Sequence, residues 1–237
     1  MTAIVWALEW RIATSRRRLF VLNIVVPLLL VTPIAMGAAP PVHAAAVYAV
    51  LFAIFGTFGS AIPLVRDAES GLSGRVLRAG VPAASYLLQR SAAAAVLDVL
   101  QLTPALAVAA LGFEASPRGF VAALAALAGT AWVACLVGVL VAVATRSLAE
   151  AALFSAVSTL MLLHMSGVFR TPLPGSIGAT FETVSPFRAL HETLLAMGMD
   201  TSIGGGVSLA LWSVCLGIGI AVFAGLATRW LGASGEV

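Results

Sequence analysis

Long apolar runs alternate with short charged interruptions along the whole chain. Residues 19–38, 43–65, 90–111, 119–144, 148–169 and 204–228 are each apolar over about the twenty residues a helix needs to cross hydrocarbon. Ahead of the first run, Val5, Leu8 and Ile12 recur at helical spacing beside Trp6 and Trp10, with Glu9, Arg11 and the cluster Arg16, Arg17 and Arg18 elsewhere. That spacing predicts a helix over 1–18 lying in the membrane interface, its tryptophans at headgroup level. Pro27 and Pro33 fall inside the first run and are expected to kink it, a distortion that neighbouring helices absorb. Gly56 with Ser60, and Gly217 with Ala221 and Gly225, form small-residue stripes that let another helix come close.

Two stretches depart from this rhythm. Arg66 to Gln89 is the longest polar interruption of the N-terminal half, with Arg66, Asp67, Glu69, Arg75 and Arg78 crowded between two apolar runs. Leu72, Val76 and Ala79 recur at i, i+4 and i+7, which predicts a short helix with one apolar face and Arg75 and Arg78 on another. Pro82 is expected to end it, lacking an amide hydrogen. In residues 170–203, Pro172, Pro174 and Pro186 with Gly175 and Gly178 break any long helix. Yet Ile177, Phe181, Val184, Phe187, Leu190, Leu194 and Leu195 keep the stretch apolar, which predicts short helices dipping partly into one leaflet. The expected fold is therefore all-α integral membrane, a single transmembrane domain over 1–237. It has six transmembrane helices, an interfacial helix (1–18), a charged segment with its own helix (66–85) and a partly re-entrant segment (170–203).

Composition agrees. The chain is 61% hydrophobic and 10% charged, with mean hydropathy +1.06, where a soluble domain carries about a quarter charged residues. All 13 basic residues are arginine. The absence of lysine excludes a P-loop, whose lysine reaches the nucleotide phosphates, and Schiff-base chemistry. The sequence pI near 9.5 would point to nucleic acid in a soluble protein, but here topology explains the arginines and no nucleic-acid partner is expected. Arg11, Arg16, Arg17, Arg18, Arg66, Arg75, Arg78, Arg90, Arg146 and Arg229 share one side of a six-span arrangement, against Arg118, Arg170 and Arg188 on the other. The positive-inside rule then puts both termini and the 66–85 segment in the cytoplasm and 170–203 outside. The apolar run after Arg18 invites a comparison with a cleaved signal, but the segment before it is too long and amphipathic, and a removed signal is not expected.

Cys135 and Cys215 sit inside apolar runs and read as small buried hydrophobes, without metal or disulfide spacing. His191-Glu192 lacks a zinc protease's second histidine, since position 195 is leucine. No metal site or catalytic constellation stands out. Asp98 lies within the third run, where a carboxylate costs about 2.5–3.5 kcal/mol on insertion scales. It either serves substrate or gating, or sits near the inner interface with Arg90 two turns below. Ser158, Thr159 and His164, with Ser155 and Ser166, make the fifth run unusually polar, for helix–helix hydrogen bonds or for a substrate path. Glu150 caps the fifth helix against its positive end or offers a second coupling contact.

The order of these parts resembles the type 2 permeases of ATP-binding-cassette (ABC) exporters. Arg66, Glu69, Gly71, Leu77 and Pro82 are similar to that family's charged stretch leading through Gly-Leu to the third span. Ser166-Gly167-Val168-Phe169, then Pro172 and Pro174, then Ser185-Pro186-Phe187 resemble its signature near the outer face. Gly74 inside the charged segment departs from a good helix former.

The resemblance covers essentially the whole chain and implies a transport subunit without catalysis or cofactor of its own. Two cytoplasmic ABC ATPase subunits would carry ATP and magnesium. A second copy or a related permease would pair with the chain among the lipids of the bacterial inner (cytoplasmic) membrane. Arg66, Asp67, Glu69, Arg75 and Arg78 would seat a coupling helix in the ATPase, and an amphiphilic or apolar substrate would be exported. An ion channel, a membrane scaffold and an intramembrane enzyme are the rival classes.

Overall fold

Backbone amides in hydrocarbon have no water to bond, so a chain this apolar satisfies them within helices. The computed structural model describes residues 2–37, 41–165, 173–179, 185–197 and 216–225. In chain order they form α1 (Thr2–Ser15), α2 (Arg17–Met36), α3 (Pro41–Glu69), α4 (Leu72–Arg78), α5 (Ala83–Gly112), α6 (Pro117–Ala144), α7 (Leu148–Met165) and α8 (Pro186–Met197), then α9 (Leu216–Gly225). No strand occurs among the described residues.

Helices α2, α3, α5 and α6 are long and apolar enough to cross a membrane. α7 is described over 18 residues and α9 over part of the last apolar run. The Ser166–Phe169 motif, Pro172, Phe181, Val184, Cys215 and the tail lie outside the described residues. α3 and α5, of 29 and 30 residues, are each about 45 Å long at 1.5 Å per residue. They overrun the hydrocarbon by nearly three turns, about 15 Å. The overrun corrects two expected boundaries: α3 carries Arg66, Asp67 and Glu69 in its last turn, and α5 begins at Ala83, ahead of Arg90.

The most extensive packing joins α3 to α6, and small residues explain it. A Cβ on Gly138 would lie 2.5 Å from the Thr57 carbonyl oxygen and 2.9 Å from Ser60 Cβ, while one on Gly56 would collide with Ala134 Cβ. The Gly56/Ser60 stripe therefore does let a helix approach, and the helix is α6. A second close approach, of Gly112 to Ala35, joins α5 to α2, and the Asn23 side-chain amide donates to Gln101 Oε1 at 3.1 Å. The stripe in α9 packs too: a Cβ on Gly217 would meet the Trp132 ring at 3.3 Å, and one on Gly225 would meet Ala84 Cβ at 3.3 Å.

α1 packs against α5, with Leu8 and Ile12 half-buried and Trp6 and Trp10 facing outward. α8 lays Phe187, Leu190, Leu194 and Met197 into the core shared with α3 and α6, leaving Arg188 and Glu192 to pair at 2.7 Å on its outer side. Met197 meets Gly119 in the first turn of α6, whereas Val76 of α4 packs on the same small cluster as Ala142 and Val143 in its last. α4 and α8 thus mark opposite ends of the bundle.

Candidate functional site

Most of the charge gathers at the α4 end. α3 stops where Gly71 takes a left-handed φ of 71°, and the same residue starts α4, its carbonyl accepting from Arg75 N at 3.2 Å. α4 is closed by Gly80, at φ 85°. Gly80 N donates to Leu77 O at 3.0 Å, and Val81 N to Val76 O at 3.4 Å, the paired bonds of a glycine-terminated helix. Gly80, and not Pro82 as the sequence suggested, therefore ends α4. Pro82 instead stands at the N-cap of α5, and glycine followed by proline was the signal to read.

α4 sits over an apolar cavity of about 180 Å³ lined by Leu64, Ser73, Leu77, Tyr86, Ala142 and Val143. Val76 packs toward Leu64, Tyr86 and Leu87, whereas Ala79, expected on the same apolar face, is exposed at the helix end. Arg75, Arg78 and Glu69 are exposed and Arg66 is half-exposed. Asp67 parts company with them. It is buried, and its Oδ2 accepts from Arg90 Nη2 at 2.7 Å. The other arm of the same guanidinium pairs with Glu9 of α1.

Arg90 is only 3% exposed, and a guanidinium can fork between two acceptors. The cluster joins α1, α3 and α5, and removing one partner would strand a buried charge at a cost of about 3–5 kcal/mol. Sequence reasoning gave Glu9 and Arg90 no functional role. The available signal was an arginine within a long apolar helix, which demands a carboxylate nearby.

Asp98 was read either as a substrate or gating residue or as lying near the inner interface two turns from Arg90, and Arg90 takes other partners. Eight residues of helix separate the two by about 12 Å. Asp98 faces α6 instead, its Oδ2 accepting from Cys135 Sγ at 3.5 Å, beside Gly59 of α3.

The polar residues of α7 divide between two faces. Thr159 is buried against α3, its hydroxyl 2.7 Å from that of Thr57 and 3.3 Å from the Ala53 carbonyl. Ser155 is buried as well. His164 is exposed and Ser158 half-exposed, in line with Leu153, Val157, Leu160 and Met161, which are also exposed. The structure thus does not gather Asp98, Ser158, Thr159 and His164 at one place. Glu150 is a helix cap: its Oε2 accepts from Arg146 N at 2.8 Å, and its own amide donates to Ser147 Oγ at 3.2 Å, a reciprocal arrangement like a capping box.

At the other end, burial holds the His191 imidazole below its usual value, helped by Arg188 and opposed by Glu192. No cluster of three or more metal-ligating side chains occurs among the described residues.

No curated protein matches the chain. A sequence family does, over residues 1–197 of 237, a stretch that takes in α1, the α3–α4–α5 turn and α8. By that match the chain belongs to the ABC-2 type transporter family, the membrane permease components of ABC transporters.

Proposed function

We propose that this chain is the transmembrane subunit of an ATP-driven exporter, moving an amphiphilic or apolar substrate such as a drug, lipid or hydrophobic peptide out of the cytoplasm. The family works with an ABC ATPase, and ATP and magnesium belong on that partner. The observation that carries the reading is α4. It is a seven-residue helix bounded by two left-handed glycines, with Arg75 and Arg78 exposed. A soluble partner meets such an element first, and Arg66, Glu69, Arg75 and Arg78 supply the salt-bridging groups. Asp67 holds the base of the turn behind them. The arginine bias places this end, with both termini, in the cytoplasm, and α7 and the helix containing α9 complete six spans. The 170–203 segment, with α8, stands at the outer face as the re-entrant part.

Two copies, or this chain and a related permease, pair through the exposed face of α7, and two ATPase subunits dock below. Leu153, Val157, Leu160 and Met161 are exposed at spacings of three and four, suited to a helix seam or a lipid face. Ser158 and His164 on that side line the substrate path. Asp98 and Thr159 lie behind it, where α3 meets its neighbours, and gate by holding or releasing those contacts. ATP-driven closure of the ATPases rocks the spans about α4.

Gentle purification from the native membrane, followed by mass spectrometry, tests the class. A stoichiometric P-loop ATPase supports it. A chain that repeatedly comes alone, under conditions that keep ABC complexes intact, replaces it with a channel or scaffold. Within the complex, reversing Arg75 and Arg78 to glutamate should lower ATP turnover about tenfold, inside the usual range of coupling effects, with insertion intact. Wild-type turnover would remove α4 from its role.

A further inference from the structure

We propose that Arg90 is the joint that turns motion of α4 into motion of a larger body, with Glu9 and Asp67 as its two arms. All three are positioning residues for transport, and the inference rests on the transporter reading above. α4 is too short to carry force alone, and its flanking glycines have open space around them. A push on α4 reaches the bundle through the last turn of α3 and the first turns of α5. Asp67 and Arg90, 2.7 Å apart, clamp those two segments and close the base of the α3–α4–α5 turn. Glu9, on the other arm of the guanidinium, adds α1.

α1 leads directly into α2, with only Arg16 between them. α2 is fixed to α5 by Asn23–Gln101 and by the approach of Gly112 to Ala35. The cation therefore sits where α1, α2, α5 and the base of α3 become one lever. α6 packs closely against α3 along small residues and moves with it.

The test uses the complex purified with its own ATPase, comparing Glu9→Gln, Asp67→Asn and the double variant. The ATPase captured should stay at the wild-type amount, while turnover falls at least about fivefold in each single variant, the lower end of typical coupling effects. The double variant should fall no further than the worse single, because both arms act through one guanidinium. Glu9→Asp, which keeps the charge, should recover part of the loss. If Asp67→Asn does not reach the membrane, Glu9→Gln decides, since it leaves the Arg90–Asp67 pair intact. Full turnover in the Glu9→Gln complex, or losses that multiply in the double variant, would overturn the inference while leaving the role of α4 standing. Full turnover in the Arg75→Glu, Arg78→Glu complex as well would remove both.

Discussion

Glycine serves opposite purposes at the α4 turn and at the α3–α6 seam. Gly71 and Gly80 are there for their backbone, at φ of 71° and 85° with nothing within 4 Å of an added Cβ. Gly56 and Gly138 have ordinary helical backbones, and their neighbours leave no room for a side chain. The first pair makes a turn that can be addressed from outside; the second makes two helices behave as one. The same residue type therefore marks the exposed and the rigid parts of the molecule.

Substitution should separate the two uses. The largest effect belongs to Gly138→Leu, which forces a side chain against the Thr57 carbonyl. Overpacking costs about 1–3 kcal/mol and occasionally more, and contact with backbone puts this site at the upper end. The expected outcome is loss of monodisperse protein in detergent size-exclusion chromatography; a wild-type elution profile and yield would mean the seam is looser than described.

Gly80→Ala should cost about 1–2 kcal/mol for the left-handed backbone alone. Gly74→Ala, inside α4 with open space around it, should instead gain about 0.5–1 kcal/mol. Thermal unfolding of the two variants side by side reads the opposite signs, and equal shifts would break the contrast.

Thr159→Val removes the bond to Thr57 across α3 and α7. Such bonds average about 0.6 kcal/mol in a membrane bundle, so a small lowering of the midpoint is expected, reduced further because Thr57 keeps its bond to the Ala53 carbonyl. A drop as large as that of Gly138→Leu would show that hydroxyls, and not glycines, hold this core.

The smallest effect concerns pH. His191 is held below its usual value by burial, so the unfolded chain binds its proton more readily than the folded one. Its contribution is fully present above the ordinary value of 6.5 and is lost as pH falls below it. His191→Leu should flatten that part of the stability–pH curve, and an unchanged slope would exclude the histidine as its source.

Much of this was legible along the chain. Apolar run lengths located α2, α3, α5 and α6 to within a few residues, apart from the charged overruns of α3 and α5. The Leu8–Ile12 spacing oriented α1, and the placement of Glu150 at the start of an apolar run identified its cap. Glycine chemistry at position 80 was legible but was credited to Pro82. The candidate site was legible as charge and illegible as pairing. Arg66, Glu69, Arg75 and Arg78 face outward as a surface segment should, whereas Asp67 in the same run turns inward to a cation 23 residues away.

By itself the sequence determined that the chain crosses a membrane as helices and where most of them run. Hydrocarbon leaves the backbone few other solutions, and run length and spacing are local properties. Only the tertiary structure decided that Arg90 belongs to Asp67 and Glu9 and not to Asp98, that Gly56 meets α6, and that Thr159 and His164 look in different directions. Those choices depend on the rotation and crossing of helices far apart in sequence, where a turn of about 100° per residue sends neighbouring side chains to different partners.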